Sequence, residues 1–137
     1  MEKKLSCLSM LRVMFLAAGT MSGLASVVPL VSAAGNPVVV TMTDEPARYV
    51  PERITVKVGT TVEFRNTGQV VHDVTTDASI AQDKADVSLP PDAKPFDSGF
   101  IAPGQSWIYT FTVPGRYLYA CIPHEKDRMV GEVLVTK

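Results

Sequence analysis

The sequence predicts an all-β domain, a Greek-key β-sandwich or a small barrel, on three observations. Short segments alternate apolar and polar residues, as half-buried strands do. Pro-Gly and Asn-x-Gly turn signals separate them. The region 35–137 contains no convincing amphipathic helix.

The elements follow in order. Val38–Met42, entered through Pro37, reads as an edge strand, where a missing backbone N–H is tolerated. Ile54–Val58, the turn Gly59-Thr60 and Thr61–Arg65 read as strand, tight turn and strand. Their alternation turns Ile54, Val56, Val58, Val62 and Phe64 to the core. The turn Asn66-Thr67-Gly68 leads to a strand over His72–Thr76. Asp83–Pro95 holds Pro90, Pro91 and Pro95 without a clear period, and reads as a long surface loop. Pro103-Gly104 precedes a strand at Trp107–Thr112, and Pro114-Gly115 precedes another at Arg116–Cys121. On the latter, Tyr117, Tyr119 and Cys121 share one face, and buried tyrosines need partners for their hydroxyls. Val130–Thr136 closes a set of seven to eight strands.

The chain has 137 residues, 46% of them apolar, with a net charge of −1. That length suits one well-packed domain, and the charge balance lacks the basic excess of a nucleic-acid binder. No internal repeat or linker divides residues 35–137. Residues 1–34 differ. Lys3, Lys4 and Arg12 make a basic start, Val13–Leu30 is largely apolar, and Val31-Ser32-Ala33-Ala34 fits a secretory cleavage site. The expectation is a signal peptide cleaved near Ala33/Ala34, and an exported product that is periplasmic or otherwise extracytoplasmic. The alternative is a retained anchor, since about eighteen apolar residues span a bilayer. Gly19, Gly23, Pro29 and the small-residue end favour cleavage, and with it no membrane insertion.

Once 1–34 are removed, ten basic residues face thirteen acidic ones, and Cys121 is the lone cysteine. Exported domains usually pair cysteines, and a single thiol in an oxidising compartment invites oxidation unless something occupies it. Cys121, His124 and Met129 have the spacing C-x2-H-x4-M, and His72 lies upstream. Two imidazoles, one thiolate and a weak thioether are the donors of a type 1 blue-copper electron-transfer site. Each residue alone has a plainer reading: a surface histidine, a small buried cysteine, a core methionine. Together they exhaust the histidines and cysteines of 35–137 in one ligand pattern, and that favours metal.

The run Tyr117-Leu118-Tyr119-Ala120-Cys121 through Val135 resembles the copper-binding segment of the plastocyanin, pseudoazurin and amicyanin group of cupredoxins. Pro103–Trp107, Pro114–Tyr117 and Ile54–Asn66 followed by His72 extend the resemblance over residues 37–137, and the ligand-loop spacing is closest to plastocyanin. The resemblance implies a cupredoxin-like Greek-key sandwich and one copper ion cycling between Cu(I) and Cu(II). It implies the ligands His72, Cys121, His124 and Met129. The implied activity is single-electron shuttling between redox proteins such as a cytochrome or an oxidoreductase. These would dock near His124 on a monomeric carrier that is not an enzyme.

Two positions depart from the group. Asp73 stands where an asparagine is common. A carboxylate can accept backbone N–H bonds but cannot donate, and if ionised it favours Cu(II) and lowers the potential. Glu125-Lys126-Asp127-Arg128 replaces small uncharged residues, so a charged rim around His124 is expected, with salt-sensitive docking. A copper chaperone or storage protein without electron transfer, and a metal-free adhesion sandwich, remain the alternatives. A thiol enzyme built on Cys121 and His124 lacks an apparent orienting third group.

Overall fold

The period-two segments become seven strands in the computed structural model, which describes residues 36–137. The expected signal peptide lies outside these residues. Strands β1 (Val38–Asp44), β2 (Ala47–Val50), β4 (Thr60–Asn66) and β5 (Ser106–Phe111) form one sheet in the order β2-β1-β4-β5. Strands β3 (Arg53–Lys57), β6 (Gly115–Ala120) and β7 (Val130–Thr136) form the other, in the order β3-β7-β6. Inward residues of the two sheets make the core: Val40, Met42 and Phe64 from one, Val56, Tyr117 and Val133 from the other. The architecture is a two-sheet β-sandwich with the expected strand count. Among the described residues, no helix is long and apolar enough to cross a membrane.

Four expectations are corrected. Val38–Met42 is no edge strand: β1 lies between β2, antiparallel, and β4, parallel. The edge on that side is β2, only four residues long between Pro46 and Pro51. The segments either side of Gly59 do not pair with each other. Strand β3 runs parallel to β7, whereas β4 pairs with β1 and β5. Gly59, at φ +87°, carries the chain from one sheet to the other, a backbone conformation that glycine adopts without steric cost. Val58 lies just past the end of β3 at this crossing and is 42% exposed rather than core, although Val56, Val62 and Phe64 are buried as expected. Finally, 72–76 is not a ladder strand but a buried segment held by isolated bridges, His72 to Ile101 and Thr75 to Asp97 and Ala120.

Tyr117 donates its hydroxyl to the Val113 carbonyl at 2.8 Å. Tyr119 departs from the expectation. Its ring is fully buried, edge-on to Tyr49 and Phe64, and its hydroxyl has no partner among the described residues. A buried polar group left unpaired costs about 1–3 kcal/mol. Tyr119→Phe is therefore expected to match or exceed the parent in denaturant unfolding. A loss of more than about 1 kcal/mol would contradict the unpaired state of the hydroxyl.

Candidate metal centre

The centre sits where the segment 72–76 and the chain leaving β6 meet at one end of the sandwich. Asn66, fully buried at the end of β4, shapes the approach to His72. Its side-chain oxygen accepts the Gly68 N–H, while its amide donates to the carbonyls of Val70 and Ile101. The His72 backbone then exchanges hydrogen bonds with Ile101 at 3.2 and 2.7 Å. Tyr49 of β2 donates its hydroxyl to the Asp73 carbonyl at 2.6 Å, tying the same segment to the first sheet.

Past β6 the chain forms a 3-10 turn over Ile122–Asp127, with Pro123 in its first turn, where a missing N–H costs nothing. Backbone bonds close the loop on itself. Cys121 N–H donates to the Met129 carbonyl, His124 N–H to that of Cys121, and Met129 N–H to that of His124. Arg128 ends the turn in the left-handed region at φ 64°. Glu125, expected as part of a charged rim, is instead buried, and its two oxygens accept the N–H groups of Gln82 and Asp83, each at 2.8 Å. Arg128 reaches Asp86 at 2.9 Å. Within that run Lys126 and Asp127 are left as exposed residues without a salt-bridge partner among the described residues. Asp127 joins Asp44, Glu45, Pro46 and Ala47 around half-buried His124 in a shallow surface depression.

Three of the four sequence-derived residues present donor atoms to one point. Nδ1 of His72 lies 3.6 Å from Cys121 Sγ and Nδ1 of His124 lies 3.4 Å from it. One donor atom from each residue falls within 4.8 Å of the others. His72 and Cys121 are fully buried, and so is Met129 at the end of the same loop. The Asp73 N–H also points at the sulfur, at 3.4 Å. Burial pushes the Cys121 thiol up to about 12, so a soft cation must displace its proton to bind. Burial likewise pushes the Asp73 carboxyl up to about 6, against the pull of the Ile122 N–H, which it accepts at 2.7 Å. That bond joins the segments that carry His72 and Cys121 through acceptance alone, as a carboxylate must.

Sequence reading missed one group at the centre. Asp44 Oδ1 meets His72 Nε2 at 2.9 Å, and its other oxygen accepts the Gln69 N–H. The Gln69 N–H first, and His72 next, hold the Asp44 carboxyl below its ordinary value. An acceptor-only carboxylate requires Nε2 to carry the proton, which leaves the Nδ1 lone pair facing the sulfur. Its only sequence signal is that Asp44 ends an uncharged run of more than thirty residues.

Two imidazole nitrogens and a thiol sulfur, preset around one point with His72 and Cys121 buried, fit a copper ion: sulfur suits Cu(I), and imidazole suits both states. Comparison with known proteins agrees. The family described as copper binding proteins, plastocyanin/azurin family, matches residues 32–136. Chloroplastic plastocyanin of Chlamydomonas reinhardtii is 33% identical over 87 residues, 64% of this chain and 57% of that protein. That of Oryza sativa subsp. indica is 36% identical over the same share of this chain and 54% of its own. The chain thus spans little more than half the length of these relatives. A reduced Cu(I) form of an amicyanin variant superposes with a TM-score of 0.57 at 27% identity, over 77% of this chain and 87% of that one. The copper-containing nitrite reductase of Thermus scotoductus SA-01 superposes with a TM-score of 0.56 at 29% identity, over 74% of this chain but only 22% of the reductase. With its two-sheet sandwich and its convergent His-Cys-His cluster, the chain belongs to the plastocyanin/azurin family of copper-binding proteins, a cupredoxin that holds one copper ion.

Proposed function

We propose that this chain is an exported blue copper protein that passes single electrons between redox partners, with His72, Cys121, His124 and Met129 as the ligands. When bound, copper supplies a one-electron couple between Cu(II) and Cu(I). The observation that carries the reading is the convergence of both Nδ1 atoms on Cys121 Sγ inside a hydrogen-bonded, buried frame. Donors held this way cannot rearrange freely between the geometries preferred by the two oxidation states, and small rearrangement favours fast transfer. Burial of His72, Cys121 and Met129 also supports retention of the ion over handing it on, as a chaperone must.

His124 is the half-exposed donor and the proposed point of electron entry and exit. A cytochrome or an oxidoreductase would dock beside it. The carboxylates of Asp44, Glu45 and Asp127 lining the depression there favour an approaching face that is basic, which governs encounter rate more than affinity. The reading assigns no catalytic group. The proposed location is periplasmic or otherwise extracytoplasmic, following the expected signal peptide of residues 1–34.

Addition of one equivalent of Cu(II) tests the reading. An intense blue colour and a reversible one-electron voltammetric wave are expected. Ready transfer of Cu(I) to a chelator would instead indicate a delivery protein, and absence of both colour and wave would defeat the proposal. Asp73→Asn keeps an oxygen for the Ile122 N–H but removes a buried negative charge beside the centre. It is expected to raise the reduction potential by roughly 50 mV, about a tenfold shift in the relative affinity for the two oxidation states. An unchanged or lowered potential would count against that role for Asp73.

A further inference from the structure

We propose that Asp44 is a positioning residue for His72: its carboxylate fixes the ring with Nδ1 turned toward Cys121 and biases the centre toward Cu(II). This rests on the ligand assignment above. Asp44 is the last residue of β1, and its side chain leans across the turn that leads to His72. The contact is selective. One carboxylate oxygen takes the Gln69 N–H and the other takes His72 Nε2 at 2.9 Å, so both oxygens are engaged.

Room for this arrangement comes from a glycine. A side chain at Gly68 would overlap the Asp44 carboxylate, so the turn and the carboxylate are fitted to one another. His72 itself is fully buried, whereas the Asp44 side chain keeps 23% of its surface. Asp44 therefore places a negative charge at the solvent-side nitrogen of a ring whose other nitrogen lies 3.6 Å from the sulfur. A carboxylate on the far nitrogen of a ligating histidine fixes its tautomer and strengthens it as a donor. The stronger donor stabilises the doubly charged ion more than the singly charged one, so losing the carboxylate raises the potential.

Three variants test this by different routes. Asp44→Ala removes the group, Asp44→Asn keeps its shape without its charge, and Gly68→Ala displaces it without removing it. Loss of an outer partner of this kind typically lowers metal affinity 10–100-fold. Each variant is expected to lose Cu(II) affinity more than Cu(I) affinity, the potential rising by about 59 mV for each tenfold difference. Nitrogen NMR of the metal-free protein is expected to find the His72 proton on Nε2 in the parent, and a mixture of tautomers in Asp44→Ala. If Asp44 merely caps the Gln69 turn, stability falls while the potential and the tautomer stay as in the parent. Either of these unchanged in a blue parent and its variants overturns the inference. A parent that gains no blue colour with Cu(II) overturns the ligand assignment, and this inference with it.

Discussion

Cys121→Ser is expected to abolish the blue colour and to lower Cu(I) affinity by more than roughly a hundredfold, about 3 kcal/mol. Cys121 is the free cysteine of the described region, and its sulfur is the point on which both imidazoles converge. An alcohol oxygen is a hard donor that does not ionise near neutral pH. It therefore offers neither the negative charge nor the polarisable electrons that hold a cuprous ion. The substitution is nearly isosteric, and the serine oxygen can still accept the Asp73 N–H that now points at sulfur. The metal-free variant is accordingly expected to unfold within about 1–2 kcal/mol of the parent. Absorption titration with Cu(II) and competition with a Cu(I) chelator read the two effects separately. A blue, tightly binding Cys121→Ser protein would show that the sulfur is not a ligand.

Glu125→Ala is expected to cost about 3–6 kcal/mol, the loss of two charge-assisted hydrogen bonds at roughly 1.5–3 kcal/mol each. Glu125 lies between His124 and Met129 in sequence and is 3% exposed. Its two oxygens accept the backbone N–H groups of Gln82 and Asp83, so the long loop after Thr76 is stapled to the loop 121–129. Truncation strands those amides and frees the turn that spaces His124 from Met129. Alongside the loss in denaturant unfolding, the electron exchange rate at an electrode is expected to fall, because a looser loop rearranges more on each transfer. Glu125→Gln, which keeps one oxygen as an acceptor, is expected to fall between the two. Parent-like stability of the alanine variant would contradict the staple.

The donors were legible because they are scarce. Both histidines and the lone cysteine of region 35–137 stand in a ligand spacing, which no packing requirement explains. Strands β4 to β6 were legible because each pairs period-two alternation with a Pro-Gly or Asn-x-Gly boundary. The period gives the face of a strand but not its neighbour. Nothing near Ile54 says that it lies beside Val133 rather than across the Gly59 turn. Strand β2 was hidden by its length and its flanking prolines, and it carries Tyr49, whose hydroxyl reaches a residue 24 positions away. Asp44 and Glu125 were missed for the same reason. Their partners lie 28 positions and more than 40 positions distant, and an acidic residue bound through tertiary contact looks in sequence like any solvated charge.

The most direct measurement is the crystal structure of the copper-loaded protein in both oxidation states. One ion is expected, bonded to Cys121 Sγ and to Nδ1 of His72 and His124, with Met129 beside it and the four side chains superposing between oxidised and reduced forms. A metal held away from the sulfur, or ligands that swing apart on reduction, would contradict it.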